Sequence, residues 1–216
     1  MYKLVVFDLD GTLLDTLDDL TASTNAALRL HGFPTRNREE VRSFIGDGIV
    51  KLLERSVGIE NYPRITEMVA DFRAYYGAHC KDETKPYTGV MDVLQALRQR
   101  GVKLAVLSNK VHAATQALIA DYFPDVFDEV MGENEAAGIK RKPSPIALLK
   151  ILEKQGVEKA ETAYVGDSEV DIQTARNAGV DCVSVTWGFK EESFLKEQGA
   201  NRIARTANEL LEKLLN

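Results

Sequence analysis

Short, continuous apolar runs alternate along this chain with longer stretches whose apolar residues recur at helical spacing. Leu4–Phe7, Lys103–Leu107, Ala163–Val165 and Cys182–Val185 are brief and rich in β-branched residues. Unbroken hydrophobicity over such short lengths predicts strands buried on both faces of a parallel sheet. A weaker fifth run lies around Val126–Met131. Between the runs, Val90–Arg100 carries Val90, Val93, Leu94 and Leu97 on one face and stops before Gly101, a residue suited to a left-handed C-terminal cap. Ala113–Ala120, Pro145–Gln155 and Val170–Ala178 are further helices. Ser144 is the expected N-cap of the second of these, with Pro145 at its first turn. A last helix opens on Thr206-Ala207-Asn208-Glu209, read as a capping box, and buries Leu210, Leu211, Leu214 and Leu215. Strands alternating with helices predict an α/β fold with a parallel sheet.

The pattern changes after the first strand. From about Thr16 to Ala78 only helical periodicity is visible, over Leu17–Leu30, Arg38–Phe44, Val50–Ser56 and Ile65–Tyr76. Gly32-Phe33-Pro34 and Gly46-Asp47-Gly48 interrupt it, and Pro86-Tyr87-Thr88-Gly89 marks the return of the strand–helix alternation. The expected organisation is a core domain from 1–15 and 84–216 with a helical domain, 16–83, inserted into it.

Composition narrows the function. A net charge of −6, with no basic block, argues against nucleic acid as a partner. No apolar stretch approaches the ~20 residues of a membrane span. Cys80 and Cys182 have no metal-ligand spacing and read as free thiols of a reducing, cytoplasmic compartment. His31, His79 and His112 have no spacing that assigns them a role, and Tyr75-Tyr76 and Trp187 read as packing.

The chemistry concentrates where strands end. Asp8 and Asp10 close the first run, in Phe7-Asp8-Leu9-Asp10-Gly11-Thr12. Carboxylates at the end of a buried strand are costly unless a cation holds them, and two so close resist joint ionisation. Oxygen-only ligands of this kind suit a hard cation such as Mg²⁺, although Asp and Gly also favour plain turns. Ser108-Asn109-Lys110 ends the second strand, Lys142-Pro143-Ser144-Pro145 precedes a helix, and Gly166-Asp167-Ser168-Glu169-Val170-Asp171 joins a strand to a helix. Ligands of parallel sheets bind at the carboxyl edge, where all four clusters fall.

Each cluster taken alone has a plainer explanation: a solvated lysine, a strand-to-helix turn, a helix cap. Taken together, four such features would have to line one sheet edge by accident, and the joint reading is preferred. It supplies what phosphoryl transfer needs. One aspartate attacks phosphorus and a second handles protons, Asp8 and Asp10 being the candidates. Asp167 completes an acidic Mg²⁺ site, and Asp171, one turn further on, braces Lys142 or a metal-bound water. Ser108 and nearby N–H groups meet phosphate oxygens.

These residues resemble the haloacid dehalogenase superfamily of phosphotransferases. Its four motifs stand in order as Asp8-Leu9-Asp10-Gly11-Thr12, Ser108, Lys142, and Gly166-Asp167 with Asp171, and the chain is most similar to its phosphoglycolate phosphatase-like members. The resemblance implies a Rossmann-like parallel-sheet core with an inserted α-helical cap. It implies Asp8 as nucleophile and Asp10 as general acid and base. Phosphate would be bound by Asp8, Gly11, Thr12, Ser108, Asn109 and Lys142. Mg²⁺ would be held by Asp8, the Asp10 carbonyl and Asp167, with Asp171 behind them. Ile146-Ala147 after Pro145, and Gly132-Glu133-Asn134-Glu135, depart from that pattern and bear on the substrate rather than on the chemistry.

The expected function is hydrolysis of a small phosphomonoester through an aspartyl-phosphate, by a monomer or homodimer. A β-phosphoglucomutase-like mutase and a pyrophosphatase of the same superfamily use the same motifs. A true dehalogenase would not need Asp10. A phosphate-binding, receiver-like regulatory module would be short and capless. In the cap, the Gly46-Asp47-Gly48 loop, Arg42, Lys51 and Arg55 are candidates to meet an anionic substrate, although a solvated helix face explains each cation singly.

Overall fold

The computed structural model describes residues 2–46 and 48–216, and divides into two compact units, Met1–Leu14 with Pro86–Asn216, and Asp15–Lys85. Along the chain run β1 (Leu4–Phe7), β2 (Leu14–Asp15), α1 (Leu17–Leu30), α2 (Arg38–Phe44), α3 (Ile49–Val57), α4 (Ile65–His79) and β3 (Lys85–Pro86). Then follow α5 (Val90–Gln99), β4 (Lys103–Val111), α6 (His112–Tyr122), β5 (Glu129–Glu133), α7 (Ile146–Gln155), β6 (Thr162–Gly166), α8 (Glu169–Ala178), β7 (Asp181–Val185), α9 (Glu192–Glu197), β8 (Ile203–Ala204) and α10 (Ala207–Leu215).

The first unit is built on a six-stranded parallel sheet, ordered β5-β4-β1-β6-β7-β8. The α/β class expected from the strand–helix alternation is borne out. β1 lies centrally and its four side chains are buried. Leu4 and Val6 pack with α7 and α8 through Leu148, Ile151, Ala175 and Ala178. Val5 and Phe7, on the opposite face, are equally enclosed. The chain steps outward from β1 through β4 to β5, then crosses back to β6 and outward to β8. The loops after β1 and β6 therefore lead apart, and the carboxyl ends of those two neighbours are where ligands of open α/β sheets bind.

Four details differ from the sequence reading. β4 runs on to Val111 through a register irregularity after Leu107, so Ser108 and Asn109 lie within the strand rather than beyond it. α7 starts at Ile146 with Pro145 itself in the cap position, and Ser144 is one residue too early. The ring of Pro145 has no oxygen to accept from the first turn, and the Ser144 hydroxyl reaches only the Ile146 N–H, at 3.5 Å. Thr206 caps α10 by accepting from the Glu209 N–H, but the Glu209 carboxylate accepts from the Arg205 N–H and does not return to Thr206. Leu211 and Leu215 are only half-buried; Leu210 and Leu214 form the stripe.

The second unit consists of α1–α4. Leu20, Ala27, Leu28, Val41, Leu53, Met68 and Phe72 are its buried face. Asn37 and Glu40 form a capping box at α2, and Gly58 ends α3 in the left-handed conformation. Buried Asp19 accepts from the backbone N–H groups of Glu83 and Thr84 and from the Thr84 hydroxyl, fastening the end of the unit to its first helix. The Gly46-Asp47-Gly48 loop singled out in the sequence lies partly outside the described residues.

Candidate active site

Register fixes what meets at the carboxyl edge. Phe7 is opposite Val106 on one side and Val165 on the other. Asp8 therefore stands one residue past that level, with Ser108 and Asp167 two residues past it on the flanking strands. The Asp8 N–H donates to the Val165 carbonyl at 2.8 Å, which ties the nucleophile candidate to β6.

Lys142 binds two of the carboxylates. Its Nζ lies 2.8 Å from Asp8 Oδ1 and 2.6 Å from Asp171 Oδ1, and all three side chains are buried. Asp171 is saturated by the protein. Its Oδ1 also accepts from the Tyr164 hydroxyl at 3.2 Å, and its Oδ2 accepts from the N–H and hydroxyl of Ser168 at 3.1 and 2.6 Å. With two donors on each oxygen, Asp171 has no acceptor site left for an ion and is a brace for Lys142. Asn109 fixes the same lysine from its backbone: Oδ1 accepts from the Lys142 N–H at 2.7 Å, and Nδ2 donates to the Lys142 carbonyl at 3.2 Å.

Asp167 is clamped from two loops. Its Oδ1 accepts from the Thr12 hydroxyl at 3.1 Å, and its Oδ2 from the Phe189 N–H at 2.7 Å. Glycines make the room. A Cβ at Gly11, whose φ is +84°, would lie 2.4 Å from Asp167 Oδ2, and one at Gly166 would lie 2.3 Å from the Asp171 carboxyl carbon. The glycines beside the aspartates are thus required by the space the carboxylates occupy.

Asp10 is held separately. Its Oδ1 lies 3.2 Å from Nζ of Lys110, and both side chains are largely enclosed. Ser108 is buried, with its Oγ accepting from the Lys110 N–H at 3.1 Å.

Burial pushes the Asp8 carboxyl well above the ordinary aspartate range; Lys142 opposes this, while Asp171 and Asp167 add to it. Burial likewise raises Asp167 to about 7, helped by Asp171 and opposed by the Phe189 N–H, Lys142 and the Thr12 hydroxyl. Burial works against a charged Lys142, but Asp171 and Asp8 outweigh it and keep the ammonium protonated beyond the usual lysine range. Three buried carboxylates thus face one lysine. Among the described residues, Asp8, Asp167 and Asp171 bring a carboxylate oxygen each within 4.8 Å of one another. An oxygen-only, electron-rich cluster short of positive charge fits a hard divalent cation, with Asp8 and Asp167 as the donors left to hold it.

The comparisons with known proteins agree with this geometry. A family model described as haloacid dehalogenase-like hydrolase matches residues 5–185. The chain belongs to that family. Phosphoglycolate phosphatase 1 of Pseudomonas aeruginosa is 31% identical over 97% of this chain and 78% of its own length. The phosphoglycolate phosphatase of Chromobacterium violaceum is 32% identical over 99% of this chain and 97% of its own. The crystal structure of a candidate phosphoglycolate phosphatase from Lactobacillus delbrueckii superposes with a TM-score of 0.93 at 37% identity, covering 99% of this chain and 98% of that one. The family, the fold and the phosphatase class read from the sequence are borne out. Among the described residues no helix is long and apolar enough to cross a membrane.

Several contributors were not singled out in the sequence. Tyr164 sat inside an apolar strand and read as core. Lys110 stands within Ser108-Asn109-Lys110, where no sequence pattern points to Asp10 as its partner. Trp187, read as packing, also donates its indole N–H to the Thr12 carbonyl at 3.1 Å. Of the tyrosine pair, Tyr76 is buried and stacked on Phe72, whereas Tyr75 is exposed and stacked on His79. In the helical unit, Arg42 contacts Glu39, Lys51 contacts Glu54, and Arg55 donates to the Phe44 carbonyl.

Proposed function

We propose that this hydrolase cleaves small phosphomonoesters, with 2-phosphoglycolate the first to test, through a phosphorylated Asp8. The observation that carries the reading is Asp8 at the switch of the sheet, paired with Lys142 and backed by Asp167 and Asp171. Asp8 and Asp167 would hold Mg²⁺ together with the Asp10 carbonyl. When bound, the ion supplies positive charge to the phosphoryl oxygens and offsets the mutual repulsion of the carboxylates.

In the first step an Asp8 oxygen bonds to phosphorus as the bond to the ester oxygen breaks. Asp10 gives its proton to the departing alkoxide. In the second step Asp10 takes a proton from water, the water oxygen bonds to phosphorus, and the bond to Asp8 breaks. Phosphate leaves and both aspartates return to their starting states. Lys142 favours the ionised form of Asp8, as the bound cation would, and it orients the carboxylate and meets charge developing on the phosphoryl oxygens. Ser108 and neighbouring N–H groups bind those oxygens. The phosphatase names of the relatives support phosphoglycolate in particular. The two cysteines, both free thiols, suit a cytoplasmic setting.

The test is phosphate release from a panel of phosphomonoesters and pyrophosphate, with and without Mg²⁺, with sugar-phosphate isomerisation followed alongside. Metal-dependent release supports the reading. Isomerisation without net release, or no reaction with any phosphomonoester, contradicts it.

A further inference from the structure

The segment after β7 touches the site at two independent points. The Trp187 indole N–H donates to the Thr12 carbonyl, and the Phe189 backbone N–H donates to Asp167 Oδ2 in a fully enclosed hydrogen bond. Gly188 lies between them. A Cβ there would stand 2.3 Å from Asp167 Oδ2, 2.3 Å from the Gly11 carbonyl oxygen and 2.4 Å from Asp167 Cβ. These neighbours are a backbone oxygen and the base of a buried side chain, and neither can swing aside as the tip of a flexible chain would. The need for glycine here is one of space, since its backbone is not left-handed.

We propose that Trp187-Gly188-Phe189 is a positioning element for the cation site. It holds Asp167 and the loop of Asp8 to Thr12 in the one arrangement that presents carboxylate oxygens to a divalent ion. The inference rests on the reading of Asp167 as a ligand. Its physical basis is repulsion: three neighbouring buried carboxylates turn away from one another unless fixed donors orient them. Asp167 has such donors on both oxygens, Thr12 from the β1 loop and Phe189 from the β7 loop. Trp187 links those two loops directly. Residues of this kind, behind the ligands, commonly govern metal affinity by about 10–100-fold.

Trp187 is the only tryptophan in the chain, so its emission reports on this element. The experiment is calorimetric titration of Mg²⁺ into metal-stripped protein, for the wild type, Gly188→Ala, Trp187→Phe and Asp167→Asn. Circular dichroism and melting in EDTA check folding, and Trp187 emission is followed in the wild type. The expected result is loss of Mg²⁺ affinity by about 10–100-fold in Gly188→Ala and by severalfold in Trp187→Phe. Wild-type emission should change with the same midpoint as the heat. Trp187→Phe keeps an aromatic ring while removing the N–H donor, and carries the test should Gly188→Ala not fold. Wild-type affinity in both variants while Asp167→Asn has lost it overturns the inference alone, including where their melting points fall. Wild-type affinity in Asp167→Asn overturns the ligand reading and the inference with it.

Discussion

Nζ of Lys110 lies 3.2 Å from Oδ1 of Asp10, an ion pair largely withdrawn from solvent. In the proposed reaction Asp10 presents one oxygen alternately to a departing alkoxide and to water, and a side chain free to rotate would do this poorly. Lys110→Met is expected to lower kcat by about 10²-fold, within the range general acid–base groups contribute, with little change in KM. Lys110→Arg should recover part of it. Steady-state kinetics with 2-phosphoglycolate check this; an unchanged kcat in Lys110→Met would return the pair to a purely structural role.

Asp8→Asn should abolish turnover. It should not weaken the fold in EDTA, because it removes one of three clustered buried carboxylates and leaves Lys142 paired with Asp171. The melting temperature in EDTA is expected to equal or exceed that of the wild type. A marked fall would mean that the Asp8–Lys142 contact stabilises the fold more than the crowding of carboxylates costs.

Lys142 is different. The structure buries it between two carboxylates, so it serves the fold as well as the proposed chemistry. Lys142→Met leaves Asp8 and Asp171 enclosed without their cation, and loss of one partner of a buried pair costs about 3–5 kcal/mol. Both activity and melting temperature should fall, and Mg²⁺ should restore part of the stability but not the activity. Thermal melts with and without Mg²⁺ measure this.

Asp19 offers a check on the helical unit alone. Asp19→Ala strands two backbone N–H groups and the Thr84 hydroxyl, at a cost of about 3 kcal/mol. Denaturant unfolding gives the loss, and hydrogen exchange at Glu83 and Thr84 should become rapid.

Much of this was legible because buried parallel strands read as unbroken apolar runs, and because carboxylates ending such runs stand out. Leu4–Phe7 followed by Asp8 is unmistakable in this respect, as is Ala163–Val165 followed by Asp167. The remainder left weaker traces. A lysine after a strand looks the same whether it is solvated or, like Lys110, paired with Asp10. Tyr164 is hydrophobic enough to pass for core, and only its hydroxyl beside Asp171 marks it. The Phe189 contact is made by a backbone N–H, which no side-chain pattern records. Gly188 carries the one sequence signal of that clamp, and a glycine after a strand equally announces a turn.

The most direct test is an acid quench during turnover of ³²P-labelled 2-phosphoglycolate with Mg²⁺, followed by peptide mass spectrometry. Acid-stable label on Asp8, increased in Asp10→Asn and absent in Asp8→Asn, is the predicted result. Phosphate release at the normal rate with no labelled protein at any quench time would contradict the account.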